Sequence, residues 1–366
     1  MKQEISYGKK DIHGGTDIVV CPAFCDVHVH LREPGYSYKE TIRSGSLAAA
    51  AGGYTCVCAM PNLNPVPDSV DNLEEELEII RRDAVIDVRP YGTITLGRKG
   101  LELVDFRAMK SSVAAFSDDG SGVGGDDLMR EAMREAAVSG VLIAAHSEDK
   151  RYGESAQSEW QMIERDIALA GETGCAYHVC HVSSRKSVEL IRDAKKRGIN
   201  VTCETAPHYL LLCEDDVVDD GRFRMNPPLR SADDRAALIE GLCDGTVDMI
   251  ATDHAPHSAE EKSRGFKGSV MGIVGLETAF PLLYTYLVRK GVISLPRLIE
   301  LMSVNPRRRF RLGEAPQDKA IFEVGTPYTI DSSSFRSMGH STPFDGMQVW
   351  GRCIKTVFRD KTVFSI

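Results

Sequence analysis

Four histidines and two carboxylate positions follow short apolar runs that lie far apart in the chain. They are His28, His30, His146, His181, the pair Asp118–Asp119, and Asp253. Histidine nitrogen and carboxylate oxygen are the ligands that zinc, manganese and cobalt take in proteins. More than four such ligands predict two cations that share a carboxylate and a hydroxide, and such a hydroxide is a nucleophile at neutral pH. The pattern therefore predicts hydrolysis of an amide-like bond.

The first of these positions lies in the stretch CDVHVHLREPG. In an extended chain Asp26, His28 and His30 share one face, while Val27 and Val29 face the other way. The alternative is an edge strand with solvated polar residues. One polar residue at a strand end is ordinary capping, but a set of six is poorly explained in that way.

Short β-branched runs alternate with segments of helical period, which is typical of βα units around a parallel sheet. Eight runs are predicted to be strands, at residues 18–30, 54–60, 86–94, 113–116, 141–146, 176–181, 199–204 and 249–252. Eight units in about 250 residues favour an α/β fold of the (β/α)8 TIM-type barrel over an open doubly wound sheet. Since barrel enzymes gather functional residues where strands end, the six positions are expected to meet at one mouth.

Three regions are predicted from this arrangement. Residues 21–309 form the metal-dependent hydrolase barrel, and residues 1–20 and 310–366 form a small β appendage from both chain ends. No glycine-rich nucleotide-binding motif is present in the sequence.

The charge balance restricts the partners. Lysine plus arginine number 44 against 53 aspartate plus glutamate, which argues against a nucleic-acid partner and suits a metabolic enzyme. One basic cluster consists of Arg307, Arg308, Arg309 and Arg311. We interpret it as a helix end with solvated or paired arginines; a phosphate- or nucleic-acid-binding role is the alternative.

The cysteines and the apolar segments indicate the compartment. Ten cysteines form no C-x-x-C pair, and most lie in apolar runs, as expected of free thiols in a reducing compartment. The first residues lack an apolar signal core, and no apolar stretch approaches the roughly 18 residues of a spanning helix. A cytoplasmic protein without a membrane partner is expected.

Seven motifs occur in order across about 230 residues: DVHVHLREPG, MPN, FSDDG, AHSED, YHVCHVSS, NPPLR and TDHAPH. Together they resemble the amidohydrolase superfamily and, within it, the type I dihydroorotases. The resemblance continues into STPFDG and the final KTVFRDKTVF. It is thin at the N-terminus, where the small β appendage is expected to be reduced.

This resemblance assigns metal ligands. It implies that His28 and His30 bind one cation together with Asp253, and that His146 and His181 bind a second. Two Zn²⁺ ions per chain are implied, with Mn²⁺ or Co²⁺ as alternatives.

An aspartate of the SDDG motif takes the bridging position that a carboxylated lysine holds in many relatives. Adjacent side chains of a strand cannot both point inward, so only one aspartate bridges. We choose Asp119 because its spacing to His146 matches the family, and Asp118 is the alternative. The same alternation separates His178 from His181 and makes His178 a packed or supporting histidine.

The resemblance also implies the reaction, which is the reversible hydrolysis of (S)-dihydroorotate to N-carbamoyl-L-aspartate in pyrimidine (UMP) synthesis. Asp253 would act as catalytic acid and base, taking a proton from the attacking hydroxide and giving it to the departing ring nitrogen. Four residues are implied to contact the substrate: Arg32, Asn62, Asn226 and His257. Arg32 shares the face of His30 if the strand continues, and its planar fork suits a carboxylate.

Simpler explanations exist for three of these residues. Arg32 could form an ordinary surface ion pair, and Asn62 and Asn226 could be turn formers beside prolines. Two other functions are alternatives, namely another cyclic amidohydrolase (an allantoinase or hydantoinase) and a non-catalytic scaffold of the same fold. A homodimer is expected, and aspartate transcarbamoylase is a possible partner.

Overall fold

The structure, a computed structural model, describes residues 17–366. Its strands are β1 (Ile18–Pro22), β2 (Phe24–Val29), β3 (Tyr54–Ala59), β4 (Asp87–Pro90), β5 (Leu142–Ala145), β6 (Ala176–Val179), β7 (Val201–Thr205), β8 (Met249–Ile250), β9 (Lys319–Glu323), β10 (Tyr328–Thr329), β11 (Gln348–Val349), β12 (Arg352–Phe358) and β13 (Lys361–Ser365). Its α-helices are α1 (Ile42–Ala51), α2 (Val70–Asp83), α3 (Phe106–Met109), α4 (Asp126–Ser139), α5 (Ala156–Thr173), α6 (Arg185–Lys196), α7 (Pro207–Leu211), α8 (Ala232–Asp244), α9 (Ala259–Lys262), α10 (Gly265–Gly268), α11 (Ala279–Leu283), α12 (Leu295–Ile299) and α13 (Asn305–Arg309).

Parallel strands close into a ring. One sheet has the order β2-β3-β4 and a second has the order β5-β6-β7-β8. Phe116 joins the two sheets, because it forms parallel bridges with Gly92 and Ile143, and Val29 bridges His254 to close the other side. This ring confirms the (β/α)8 barrel, with the predicted strand at 113–116 reduced to the bridges of Phe116.

Capping residues fix the ends of several long helices. Ser69, Ser184 and Ser231 each accept a hydrogen bond from a backbone N–H of the first turn of α2, α6 and α8. Helix α4 ends at Gly140, whose φ of 71° lies in the left-handed region that glycine adopts without a steric penalty. None of the helices within residues 17–366 is long and apolar enough to cross a membrane.

The barrel interior is filled by small and medium apolar side chains, which include Cys25, Val27, Cys58 and Met249. Phe310, directly after α13, joins this cluster from the end at which the strands begin. Its ring lies 5.2 Å from that of His178. The end of the barrel at which the strands begin is therefore plugged, and the end at which they finish is left for polar groups.

A further four-stranded sheet lies outside the barrel. Its order is β1-β9-β12-β13, and Ile18 of β1 pairs with Glu323 of β9. The two ends of the described chain thus meet in one antiparallel sheet. The domain boundaries after residues 20 and 309 stay predictions, and residues 1–16 of the predicted appendage lie outside the described residues.

Candidate active site

Four histidines surround one carboxylate at the mouth of the barrel. His28 Nε2 and His146 Nδ1 each lie 3.5 Å from Asp119 Oδ1, and His181 Nε2 lies 3.7 Å from the same oxygen. His30 Nε2 lies 3.7 Å from Asp119 Oδ2. The buried carboxylate of Asp119 therefore stands between one histidine pair from β2 and its end, and a second pair from the ends of β5 and β6.

Asp253 lies beside the first pair only. Its Oδ1 is 3.2 Å from His30 Nε2 and 3.6 Å from His28 Nε2. Burial would raise the pKa of Asp253, but the hydrogen bond from His30 and the nearby His28 lower it below its ordinary value. The carboxylate is therefore ionised at neutral pH.

The donor atoms of this cluster fit divalent cations. His28, His30 and Asp119 place one ligand atom each within 4.8 Å of one another, and so do Asp119, His146 and His181. Separations of 3.5–3.7 Å exceed hydrogen-bond lengths, whereas two donors each about 2.1 Å from a tetrahedral ion lie about 3.4 Å apart. His28 Nε2 and Asp119 Oδ1 are buried without a hydrogen-bond partner, which is the state of ligand atoms that a cation would satisfy.

The outward nitrogen of the first histidine is held by a buried carboxylate. Glu204 at the end of β7 bonds His28 Nδ1 at 2.7 Å, and its other oxygen bonds His178 Nε2 at 3.0 Å. Burial would raise the pKa of Glu204, but hydrogen bonds from both histidines lower it to about 2. Such a carboxylate fixes the tautomer and the orientation of a ligating imidazole.

Two further residues hold two of the other three ligand histidines. Asn62 Oδ1 lies 2.8 Å from His30 Nδ1, and Glu148 Oε2 lies 3.1 Å from His146 Nε2. Glu204 and Glu148 were not predicted from the sequence. Glu204 carried a signal, because it ends a predicted strand in the same way as the histidines do.

The adjacent aspartates of SDDG point in different directions. Asp118 accepts hydrogen bonds from the backbone N–H groups of Ile94 and Thr95 and from the Thr95 hydroxyl. Asp118 is thus occupied in fixing a neighbouring loop, and only Asp119 faces the four histidines. This geometry supports Asp119 as the bridging residue, which stays a prediction.

Three expectations about orientation were wrong. A register irregularity between Asp26 and Val29 interrupts the alternation of β2, and Val27 packs in the barrel interior. Asp26 accepts hydrogen bonds from the backbone N–H groups of His28 and Thr252, so its carboxylate does not join the histidine cluster. It holds the ends of β2 and β8 together.

The strand carrying His30 does not continue to Arg32, because β2 ends at Val29 and Arg32 has a φ of 61°. His178 does not face away from the site either. It lies in the barrel below the cluster, between Glu204 and Phe310, because the chain leaves β6 at Val179 and His181 adopts a φ of 35°.

The predicted substrate residues lie on the rim of the mouth. The Arg32 guanidinium donates to the Pro256 carbonyl and lies 3.2 Å from His257 Nε2. Asn226 Nδ2 lies 3.5 Å from both His146 Nε2 and the Glu148 carboxylate. Arg32, His257 and Asn226 are thereby brought to the same opening as the histidines.

His257 is a neutral donor in this arrangement. Burial and the charges of Arg32 and Lys39 lower the pKa of His257 to about 3. Its Nε2 lies 2.8 Å from the Met271 carbonyl, and its Nδ1 lies 3.2 Å from Lys39 Nζ. Since a carbonyl only accepts, we assign the proton to Nε2.

Known proteins resemble this chain in sequence and in fold. Residues 17–187 match the family model described as dihydro-orotase-like. Dihydroorotases from Geobacillus thermodenitrificans and Ligilactobacillus salivarius are 48% and 47% identical to the chain, over 93% and 95% of it and over 87% and 88% of their own lengths. Among solved structures, the L-hydantoinase of Arthrobacter aurescens matches with a TM-score of 0.86 and 28% identity, over 98% of this chain and 89% of its own.

A dihydropyrimidinase from Brevibacillus agri shares the fold at a TM-score of 0.83 and 23% identity, over 96% of this chain and 85% of its own. The sequence is thus much closer to these two dihydroorotases than to these two structures of hydantoinase type. Sequence similarity therefore separates the two functions where the fold does not.

Proposed function

The chain belongs to the dihydroorotase family of cyclic amidohydrolases, and on this premise we propose that the histidine cluster at the barrel mouth opens and closes the dihydroorotate ring. The hydrolytic direction breaks the ring amide and yields N-carbamoyl-L-aspartate. The observation that carries the proposal is the position of Asp119, which lies within 3.7 Å of all four histidines.

Two cations are proposed to occupy this cluster. His28, His30 and Asp253 would hold the first and His146 and His181 the second, with Asp119 shared between them. Nitrogen and carboxylate donors fit Zn²⁺, and Mn²⁺ or Co²⁺ are the alternatives. When bound, such ions lower the pKa of water and polarise an amide carbonyl.

Asp253 is proposed to move the proton. Because its carboxylate is ionised and lies at the barrel mouth, it can accept a proton from the attacking water. It then delivers this proton to the ring nitrogen as the amide bond breaks, and the reverse transfer serves ring closure. The φ of 49° at Asp253 turns the chain sharply after β8 and places the side chain beside His30.

Three rim residues are proposed to bind the substrate. The Arg32 guanidinium offers paired donors to the substrate carboxylate, and His257, whose Nε2 proton bonds the Met271 carbonyl, lies beside it. Asn226 offers an amide group on the other side of the mouth, near His146. This placement holds the ring by its anionic end and leaves the scissile amide over the cluster.

Asn62 has a separate proposed task. It lies 2.8 Å from His30 and donates to the Asp119 carboxylate at 3.4 Å, so it contacts both groups at once. A contact with substrate would come in addition to this positioning role. Asn62→Ala is therefore expected to change metal affinity as well as KM.

The test compares three cyclic amides at equal concentration: dihydroorotate, allantoin and hydantoin. We expect turnover of dihydroorotate to exceed that of the other two by at least about a hundredfold. Allantoin and hydantoin lack the carboxylate that the rim residues are proposed to bind. Turnover of hydantoin or allantoin alone would show another cyclic amidohydrolase.

Metal analysis of protein purified without chelator tests the scaffold alternative. We expect two bound cations per chain. Fewer than one per chain, with no activity after zinc is added, would favour a non-catalytic protein.

A homodimer, a cytoplasmic location and a complex with aspartate transcarbamoylase complete the proposal. The location is supported by the cysteines, because all ten lie in the described residues, all are unpaired, and nine are buried. Light scattering of the purified chain, alone and mixed with the transcarbamoylase, tests both assemblies.

A further inference from the structure

A cleft of about 720 Å³ lies at the end of the barrel opposite the histidine cluster. It is lined by the first or second residue of four barrel strands, namely Leu142, Ala176, Thr202 and Met249. Phe310 forms part of its floor. The cleft therefore has apolar side chains in its floor.

The rim is strongly cationic. Lys110, Arg308, Arg309 and Arg311 all line the cleft, and within residues 17–366 none of the four lies within 4.0 Å of a carboxylate. A fifth cation, Arg89, is neutralised by Asp87 at 3.0 Å.

The one acidic residue of the lining, Asp248, compensates this charge only in part, because it stabilises the charged form of Arg309 without forming an ion pair with it. Asp248 is bound to Lys195 outside the cleft at 2.6 Å. A chain with a formal net charge of −9 thus concentrates four unpaired cations in one recess.

Backbone carbonyls tether these side chains without neutralising them. Arg309 donates to the carbonyls of Tyr177 and Asn200 and to the Asn200 side-chain oxygen at 2.6 Å, and its Nε is buried without a partner. Arg311 donates once, to the Gly140 carbonyl at 3.3 Å. Most of the donors of Arg311, and fewer of those of Arg309, are therefore left for another acceptor.

Arg308 is the least engaged member of the group. Its exposed side chain has no hydrogen bond or ion pair to any residue of the described chain. Burial lowers the pKa of Arg309, Asp248 offsets part of this shift, and the charge of Arg311 adds a smaller lowering. A dianion would relieve this repulsion and accept several charge-assisted hydrogen bonds at once.

We propose that this cleft binds a phosphorylated small molecule, whose phosphate contacts Arg308, Arg309 and Arg311 and whose apolar or ring portion lies on the floor formed by Leu142, Met249 and Phe310. Guanidinium forks match phosphate oxygens in geometry. A bare phosphate would fill a small part of the volume, so the apolar floor selects for an organic phosphate.

Calorimetric titration of the full-length protein tests this assignment with three probes. Phenyl phosphate carries both features, inorganic phosphate lacks the ring, and benzyl alcohol lacks the charge. We expect phenyl phosphate to bind at least about tenfold more tightly than inorganic phosphate, and benzyl alcohol to give no measurable binding. Equal affinity for the two phosphates, or no binding of either, would overturn the proposal.

Charge-matched variants locate the binding. Arg308→Gln/Arg311→Gln is expected to weaken phenyl phosphate binding about tenfold or more. Arg134→Gln/Arg185→Gln removes the same charge from exposed arginines that are paired with Glu172 and Asp233, and is expected to stay within about twofold of the parent. Equal loss in both variants, or in neither, would contradict the assignment to the cleft.

The single variant Arg308→Gln repeats the test without disturbing a backbone contact. Thermal unfolding of each variant, with and without phenyl phosphate, provides a second measurement, because a ligand that binds only the folded state raises the midpoint. A stabilisation by phenyl phosphate that persists in both cleft variants would place its binding elsewhere and overturn the proposal.

Discussion

Charged side chains lie at both ends of the barrel, but their partners differ between the two ends. At the mouth, each ligand histidine lies beside a carboxylate, and Glu204 and Glu148 hold outward-facing nitrogens. At the opposite end, Arg308 and Arg311 lie near other cations and contact backbone carbonyls or solvent.

This difference follows from the direction of the strands. Strands finish at the mouth, where loops can turn side chains inward, and they begin at the other end, where Phe310 and α13 plug the interior. In barrel enzymes the first end carries catalysis and the second carries stability. This contrast underlies both proposals, namely cations at the mouth and an organic phosphate at the opposite end.

The largest expected effect comes from the two adjacent aspartates. Asp119→Asn should lower kcat/KM at least about a thousandfold and reduce bound metal, because the shared carboxylate is lost. Asp118→Asn should keep both cations and instead lower stability by about 1–3 kcal/mol, since its hydrogen bonds to Ile94 and Thr95 weaken. Metal analysis and steady-state assays measure both; metal loss in Asp118→Asn alone would reverse the assignment.

The next effect concerns the carboxylate that supports the first histidine pair. Glu204→Gln should weaken metal affinity about 10–100-fold, because a neutral amide no longer fixes His28 and His178 as the carboxylate does. A chelator competition measures this. Asp166→Asn is the control, since Asp166 is equally buried but bonds Tyr177 rather than a histidine, and its metal affinity should be unchanged. Equal losses of metal affinity in Glu204→Gln and Asp166→Asn would mean that the loss of any buried carboxylate weakens metal binding, and would contradict a specific role of the histidine contact.

Arg309→Met tests the opposite end. The substitution removes donors from the carbonyls of Tyr177 and Asn200, so the free energy of unfolding should fall by about 1–3 kcal/mol. Metal content and kcat/KM should not change, because the two ends are separated by the packed interior. Urea titration and activity assays check this, and a drop in kcat/KM of more than about fivefold would show that the ends are coupled.

The smallest effect is expected at the neighbouring position. Arg308→Gln should change the free energy of unfolding by less than about 0.5 kcal/mol in phosphate-free buffer, because the side chain is exposed and forms no hydrogen bond or ion pair with a described residue. The same urea titration measures it. A large loss of stability would mean that Arg308 serves the fold rather than a ligand.

Much of the fold could be predicted because its signals are local. Alternating β-branched runs and helical segments indicate the barrel, and the rule that functional residues follow strand ends is enough to group His146, His181 and Asp253 from the sequence alone. The predicted strand at residues 113–116 was harder to predict correctly, because Phe116 forms isolated bridges to Gly92 and Ile143 rather than a ladder.

The errors at the site share a cause. A residue's direction was inferred from strict alternation, and the irregularity in β2 and the left-handed backbone at Arg32 and His181 break that alternation. Glu204 was missed because its partner His28 lies 176 residues away in sequence. Contacts between distant strands depend on register, which single-strand patterns do not contain.

The account as a whole depends on Asp119 as the group shared by two cations. Anomalous scattering at the zinc edge, from crystals of zinc-loaded protein, tests this directly. We predict two peaks, one beside His28 and His30 and one beside His146 and His181, each about 2.0–2.2 Å from an oxygen of Asp119. Peaks that are absent from this cluster, or that contact Asp118 instead, would contradict the account.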